Sequence, residues 1–261
     1  LIAQSRKPGK IAAFLKPCDT YSFQQLCKEH RIQRAAVYAV AVQCQGMCDI
    51  EQIKAQAKAP LAVREAGETL VVETLYGEKH LPRQTVLAER CYSCKTKKMA
   101  CYDELLGEDG AEGGEGRMDG VRRLEAMTPE ERFHFWQGEL SRCIRCNACR
   151  NVCPACSCEK CVFDNPASGV ENKAAANSFE ESLFHIIRAF HVAGRCTDCG
   201  ECSRVCPQHI PLHLLNRKLI SDMNELYGPY QAGADLESRP PMTDFRYDDP
   251  EPHAGGRGGA Q

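Results

Sequence analysis

Cys143, Cys146, Cys149 and Cys153 stand at the spacing C-x2-C-x2-C-x3-C and are followed by Pro154. Cys196, Cys199, Cys202 and Cys206 repeat that spacing and are followed by Pro207. Thiols two and three residues apart strain pairwise disulfides but suit convergence on one centre. A short loop wraps such a centre and turns backbone N–H groups toward its sulfurs, and the trailing proline then leads the chain away without wasting a donor. The chemistry expected is that of two [4Fe-4S] clusters with crossed ligation, three cysteines from one run and the fourth from the other. Cys143, Cys146, Cys149 and Cys206 are assigned to the first cluster, and Cys196, Cys199, Cys202 and Cys153 to the second. Zinc is the alternative for C-x2-C pairs, but it needs two such pairs and has no use for further cysteines at these intervals, twice.

The chain has 18 cysteines in 261 residues. They are bunched, with seven between Cys143 and Cys161, whereas disulfide-dense scaffolds are short and spread their cysteines. Ten lie outside the two runs. Cys27 falls within an expected helix on an apolar face and reads as a core residue. Cys91 and Cys94 form another C-x2-C pair that lacks a second pair.

The elements that must position these residues are legible in outline. Lys10–Leu15 reads as a short apolar strand ending at Cys18, and Ala35–Val42 as a second ending at Cys44, with a helix from about Ser22 to His30 between them. A continuous apolar strand implies a sheet covered on both faces. The intervening helix favours parallel neighbours, which puts Cys18 and Cys44 on one sheet edge. Glu68–Tyr76 and His80–Gln84 flank Gly77-Glu78 as a hairpin. Gly107–Gly120 is rich in glycine and glutamate and reads as a flexible connector. Thr128-Pro-Glu-Glu131 starts a helix running to about Arg142, and Ser178-Phe-Glu-Glu181 starts another with Leu183, Ile186, Ile187 and Phe190 on one face. Leu212, Leu215, Leu219, Met223 and Leu226 mark a third. The expected fold is an α/β part with a small mixed or parallel sheet over residues 1–106. A linker over 107–127 joins it to an α-helical, bacterial-ferredoxin-like 2[4Fe-4S] domain over 128–228, and an extended tail over 229–261 lies on a partner.

The run Gly9-Lys10 through Lys16-Pro-Cys-Asp19, then Cys44-x-Gly-Met47, then Cys91-x2-Cys94 ahead of Tyr102-Asp103, resembles the β-subunits of coenzyme F420 hydrogenases and dehydrogenases. It is most similar to members fused to a ferredoxin dicluster and found with formate dehydrogenases and heterodisulfide-reductase-like modules. Arg142–Arg150 with Cys153–Cys161, and Ala193–Cys202, carry the likeness through the second half. The resemblance implies a third [4Fe-4S] cluster held by Cys18, Cys44, Cys91 and Cys94, with Cys48 and Cys101 as substitutes. Members of the family often bind FAD and reduce F420. The segments expected to do so lie partly upstream of Leu1, and no glycine fingerprint for a dinucleotide is present here, which counts against flavin on this chain. Cys156, Cys158 and Cys161 form a further group. They either supply a fourth cluster, with a last ligand from Cys101 or elsewhere, or seal a cluster pocket.

A net charge of -2 gives no electrostatic case for nucleic acid, and no apolar run approaches a membrane span. The histidines, including His185, His191, His209 and His213, read as surface residues or as neighbours of ligands. Arg142, Arg145, Arg150, Arg195 and Arg204 flank the clusters, either raising their potentials or forming a rim for an acidic partner. The function expected is an iron–sulfur electron-transfer subunit of a multi-subunit anaerobic oxidoreductase in the cytoplasm. It would link a catalytic subunit of formate dehydrogenase or hydrogenase type to a flavin or heterodisulfide-reductase-like subunit, with no catalytic residue of its own. The alternatives are a flavin-bearing β-subunit that itself reduces F420, and a zinc-stapled interaction module.

Overall fold

A computed structural model describes residues 1–165 and 178–243. After a single turn, α1 (Ile2–Ser5), the chain forms β1 (Ile11–Leu15), α2 (Pro17–Lys28) and β2 (Val37–Val42). Pro17 sits in the first turn of α2, where its missing donor costs nothing, and the Asp19 carboxylate accepts from the Lys16 amide at 3.1 Å. α3 (Ile50–Gln56) follows, its amino end capped by Asp49. Then come β3 (Pro60–Ala66), β4 (Thr69–Thr74) and β5 (Gly77–Pro82), α4 (Glu89–Tyr92) and β6 (Glu104–Leu106).

β1, β2 and β6 make a parallel sheet in the order β1-β2-β6, with Leu15 opposite Ala41 and Val42 opposite Leu106. Cys18 and Cys44 therefore leave the same edge, as their placement after parallel strands requires. One face is fully covered. α2 packs there through Phe23, Leu26 and Cys27 against Leu15, Val37 and Ala39. On the other face Val40 is buried, but Phe14 is 69% and Tyr38 42% exposed, so that face is covered only in part, where the sequence predicts cover on both sides. After β2 the chain leaves this sheet to build a second one, β3-β4-β5, which is antiparallel. Its core strand β4 is buried through Leu70, Val71 and Val72. The hairpin turns one step earlier than expected: Leu75 and Tyr76 form its tip, and Gly77, at φ 113°, already opens β5. β3 is almost wholly exposed and carries no strong apolar alternation, so no strand was expected there.

The glycine-rich stretch after β6 is packed, not loose. The Lys97 amide donates to the Ala111 carbonyl at 3.1 Å, Thr96 bridges to Glu112, and a Cβ on Gly113 would stand 3.2 Å from the Cys94 carbonyl oxygen. The absent side chains let this backbone lie directly on residues 94–97. α5 (Asp119–Glu125) then buries Val121 and Leu124 where a connector was expected.

α6 (Pro129–Ser141) begins at Thr128 with the expected reciprocal cap: Thr128 Oγ1 accepts from the Glu131 amide and Glu131 accepts from the Thr128 amide. α7 (Ala148–Asn151), α8 (Ser178–His191), α9 (Glu201–Arg204) and α10 (Leu212–Tyr227) complete the described helices. α6, α8 and α10 pack around Leu140, Phe163, Phe184, Ile210 and Leu212. The tail does not stand free as far as it is described. Gln24 on α2 donates to the Ala234 carbonyl at 2.8 Å, and Gly233 lies so close to Tyr21 that a Cβ would be 2.0 Å from its carbonyl oxygen. The remainder of the expected tail, 244–261, lies outside the described residues.

Candidate iron–sulfur centres

The two cysteine runs fold alike. Arg145 and Asn147 in the first run, and Asp198 and Gly200 in the second, take the left-handed conformation at matching steps, and each run then enters a one-turn helix, α7 or α9. Alternating left- and right-handed residues turn successive amides inward and make a concavity for an anion. Sulfur already accepts from this lining: the Arg145 amide lies 3.4 Å from Cys143 Sγ.

Cys143, Cys146, Cys149 and Cys206 line one cavity, together with Phe184, His185 and Ile210. Cys206 comes from the second run, so the crossed arrangement is present in the walls. His185, on α8, is buried, and its Nε2 lies 3.2 Å from Cys143 Sγ. Burial and the charges of Arg188 and Arg145 push its pKa down to about 3, so the ring is neutral.

Cys153, Cys196, Cys199 and Cys202 face one another. Burial raises the Cys196 thiol well above its ordinary pKa, with Asp198, Cys153 and Cys199 adding to the effect. Cys202 is pushed up to about 12 by burial, with Cys199, Cys153 and Cys149 in the same field. Asn216 on α10 donates its amide to Cys202 Sγ at 3.6 Å. Cys153 is the exception, lowered to about 6 by the hydrogen bond it receives from Cys156. Neutral, buried thiols of this kind release protons when they take metal, so loading couples to pH.

Cys18, Cys44, Cys91 and Cys94 line a third cavity, beside Met47, Arg90 and Lys95. The Gly46 amide lies 3.4 Å from Cys44 Sγ and the Met47 amide 3.3 Å from Cys91 Sγ. Gly46 takes φ 102°, and a Cβ there would touch Leu87 at 3.0 Å, so this donor loop depends on glycine. Cys48 and Cys101 are not in this wall. Cys48 packs on the core of the antiparallel sheet, and Cys101 packs with Cys27 under the parallel one. Cys156, Cys158 and Cys161 line a separate cavity with Arg150, Arg188 and Arg195. Cys101 does not reach that cavity either.

The three four-cysteine groups stand in file. Cys199 of the middle group also lines the cavity of Cys18, Cys44, Cys91 and Cys94, and Cys149 of the outer group lies in the field of Cys202. A buried arginine stands at each junction. Arg90 donates to the Cys199 carbonyl at 2.8 Å, pairs with Glu201, and lies in the field of Cys91 and Cys18. Arg188 donates to the Cys149 carbonyl at 3.1 Å. Burial opposes its charge, but the neighbouring thiols of Cys153, Cys202, Cys149 and Cys156 raise its pKa on balance. Of the arginines singled out from the sequence, Arg195 is tied to Glu29 at 2.7 Å and Arg150 to Asp164 at 2.7 Å. Arg142 and Arg204 sit in exposed pairs with Glu139 and Glu201. Arg90, Arg188 and Lys95 carry the buried charge and were missed. Lys95 Nζ donates to the Thr197 carbonyl at 2.6 Å over the Tyr21 ring. The one available signal was a cationic residue at a buried helical step, Arg188 one turn beyond Phe184.

Among the described residues, no three His, Cys, Asp or Glu side chains close on a single metal ion. The thiols instead surround cavities and meet amide donors, which fits a cluster larger than one ion.

Residues 139–210 match the family described as "4Fe-4S dicluster domain". The chain is also 24% identical to the F420-dependent formate dehydrogenase subunit beta of Methanocaldococcus jannaschii over 303 aligned positions, spanning 93% of this chain and 78% of that one. The chain is similar to formate dehydrogenase β-subunits. With the F420-dependent formate dehydrogenase 1 subunit beta of Methanococcus maripaludis it shares 23% identity over the same proportions of both chains. The dicluster match falls in the second half of the chain, where the two repeated turns lie. Among the described residues, no helix is long and apolar enough to cross a membrane.

Proposed function

We propose that the chain is an electron-transfer subunit of a multi-subunit oxidoreductase, carrying three [4Fe-4S] clusters in file. Cys143, Cys146, Cys149 and Cys206 hold one, Cys153, Cys196, Cys199 and Cys202 the second, and Cys18, Cys44, Cys91 and Cys94 the third. The single observation that carries this reading is the shared wall. Cys199 belongs to the middle group yet lines the cavity of the third, so adjacent clusters are separated by little more than a ligand side chain. The clusters supply one-electron transfer when bound. The chain's own residues hold them, exclude water and place Arg90 and Arg188 at the two junctions, where a fixed positive charge stabilises an electron in transit.

The partner in this reading is a catalytic subunit acting on formate, which the relatives' names support, and a flavin or heterodisulfide-reductase-like subunit takes the other end of the relay. Anaerobic purification, iron counting and reduced-state paramagnetic resonance test this. At least about twelve irons per chain, four per cubane, and the interacting signals of three relay centres are expected. Cys91→Ser should remove about four irons and stop electron passage through the complex while leaving the signals of the other centres. Unchanged iron in that variant sinks the third cluster.

A second reading is favoured by the words "F420-dependent" in both relatives' names: this chain would itself bear flavin and reduce the deazaflavin. It requires a flavin absorption spectrum in the purified chain.

A further inference from the structure

Six cysteines stand outside the three groups just described, and the structure divides them sharply. Cys27, Cys48 and Cys101 pack into apolar cores. Cys156, Cys158 and Cys161 share the wall of one open pocket, which Arg188 also lines.

Two features of that cavity point to a metal cluster instead of a seal. First, each thiol faces a cation. Arg195 lies in the field of Cys158 and Cys156, Arg150 hydrogen-bonds Cys161, and Arg188 lies in the field of Cys156. Arg195 and Arg150 are also paired with Glu29 and Asp164, but an arginine beside every thiol is what a thiolate-ligated, negatively charged group needs and what three apolar packing residues do not. Second, the loop is anchored at both ends by buried apolar side chains, Ala155 and Phe163. Between them, no backbone hydrogen bond joins residues 157–160 to any described residue. A loop of this kind keeps its amides free for acceptors in the cavity.

We infer that Cys156, Cys158 and Cys161 hold a fourth iron–sulfur cluster, three of its irons bound by cysteine and the fourth facing the cavity with a nitrogen or oxygen ligand. No cysteine remains to complete the set, since all eighteen are placed. Asp164 and Glu159 in the wall are engaged with Arg150 and Arg6. The cluster abuts the middle relay group, because Cys156 hydrogen-bonds Cys153. It is therefore a side branch of the proposed relay, and it makes the count of centres four. An iron without cysteine is the one lost first on oxidation. [4Fe-4S]2+ gives up one electron to ferricyanide and releases Fe2+, leaving [3Fe-4S]+ on the three thiolates.

The test uses the full chain, purified without oxygen. Iron, sulfide and zinc are counted in the unaltered protein, in Cys158→Ser, in Cys161→Ser and in Cys27→Ser as a control in the apolar core. About sixteen irons are expected in the unaltered protein and the control, and about twelve in each of the other two variants. Stoichiometric ferricyanide should give the paramagnetic signal of a three-iron cluster in the unaltered protein and none in Cys158→Ser or Cys161→Ser. A count of about twelve in the unaltered protein overturns the fourth cluster and leaves the relay standing, whereas about eight removes the third relay cluster as well. A count unaffected by both substitutions, or zinc in place of the missing iron, also overturns it.

Discussion

His185 shows how one side chain sets the character of a centre. Its ring is buried, holds a pKa of about 3, and has no partner for Nδ1 among the described residues. A neutral imidazole has one N–H, and the acceptor within reach is Cys143 Sγ at 3.2 Å. That hydrogen bond strengthens as the sulfur gains electron density, so it favours the reduced cluster. His185→Ala should lower the midpoint potential of the centre at Cys143 by on the order of 50 mV, the net worth of one ordinary hydrogen bond on a one-electron couple, and leave the other centres unmoved. A redox titration followed by paramagnetic resonance reads the shift. An unchanged potential would show that the ring only fills space.

The elements explain what sequence pattern could and could not reveal. The cap of α6 and the parallel pair β1–β2 follow from local rules, and the structure has them where those rules put them, whereas α2 begins at Pro17 instead of the expected Ser22. The buried faces of α8 and α10 do not follow from apolar periodicity. α8 turns Glu181, Phe184, His185 and Arg188 inward and leaves Ile186 and Phe190 exposed. α10 buries His213, Asn216 and Arg217, while Leu226 is exposed. Apolar spacing assumes that a core is oil; these helices line sulfur and carbonyl groups, which call for donors and cations, so the stripe rotates. Arg217 shows this directly, donating to Asp198 at 2.8 Å and to the Ser93 carbonyl at 3.0 Å.

At the turn before α9, Gly200 takes φ 69°, and a Cβ would stand 2.7 Å from Arg90 Cβ. Gly200→Ala should therefore cost about 2–3 kcal/mol through strain and collision, and weaken iron retention at Cys199 before the other centres. Thermal denaturation with iron release monitors both. Asp235 holds the tail near Lys28 of α2. Its carboxyl is lowered to about 2, chiefly by the Ser238 amide, so its contribution is complete above the ordinary carboxylate range and is lost only as pH falls through about 2. Amide protection at Glu237 and Ser238, corrected for intrinsic rates, should stay constant from pH 8 to 5 and fall in Asp235→Ala.

At the scale of the molecule, the apolar cores stay within its halves. Two lie under the sheets and one among α6, α8 and α10, while the joint between the halves is polar. Ser22 meets Thr197, Lys95 reaches Thr197, Arg90 reaches Cys199, Arg195 pairs with Glu29, and Arg117 pairs with Asp198. Such a joint depends on the cysteine cavities on either side of it being filled. Stripping the metal with a chelator under reducing conditions should expose residues 143–165 and 196–206 to amide exchange first. The antiparallel sheet around Leu70, Val72 and Leu81 should remain protected. Simultaneous loss of protection everywhere would show one cooperative unit instead. The cavity closed by Cys206 has a further consequence, for the time at which the protein can mature. Its other three cysteines end at Cys149, more than fifty residues earlier in the chain. While the chain is being synthesised, the first run leaves the ribosome before its fourth thiol exists, so this centre reaches full cysteine ligation only after Cys206 has emerged.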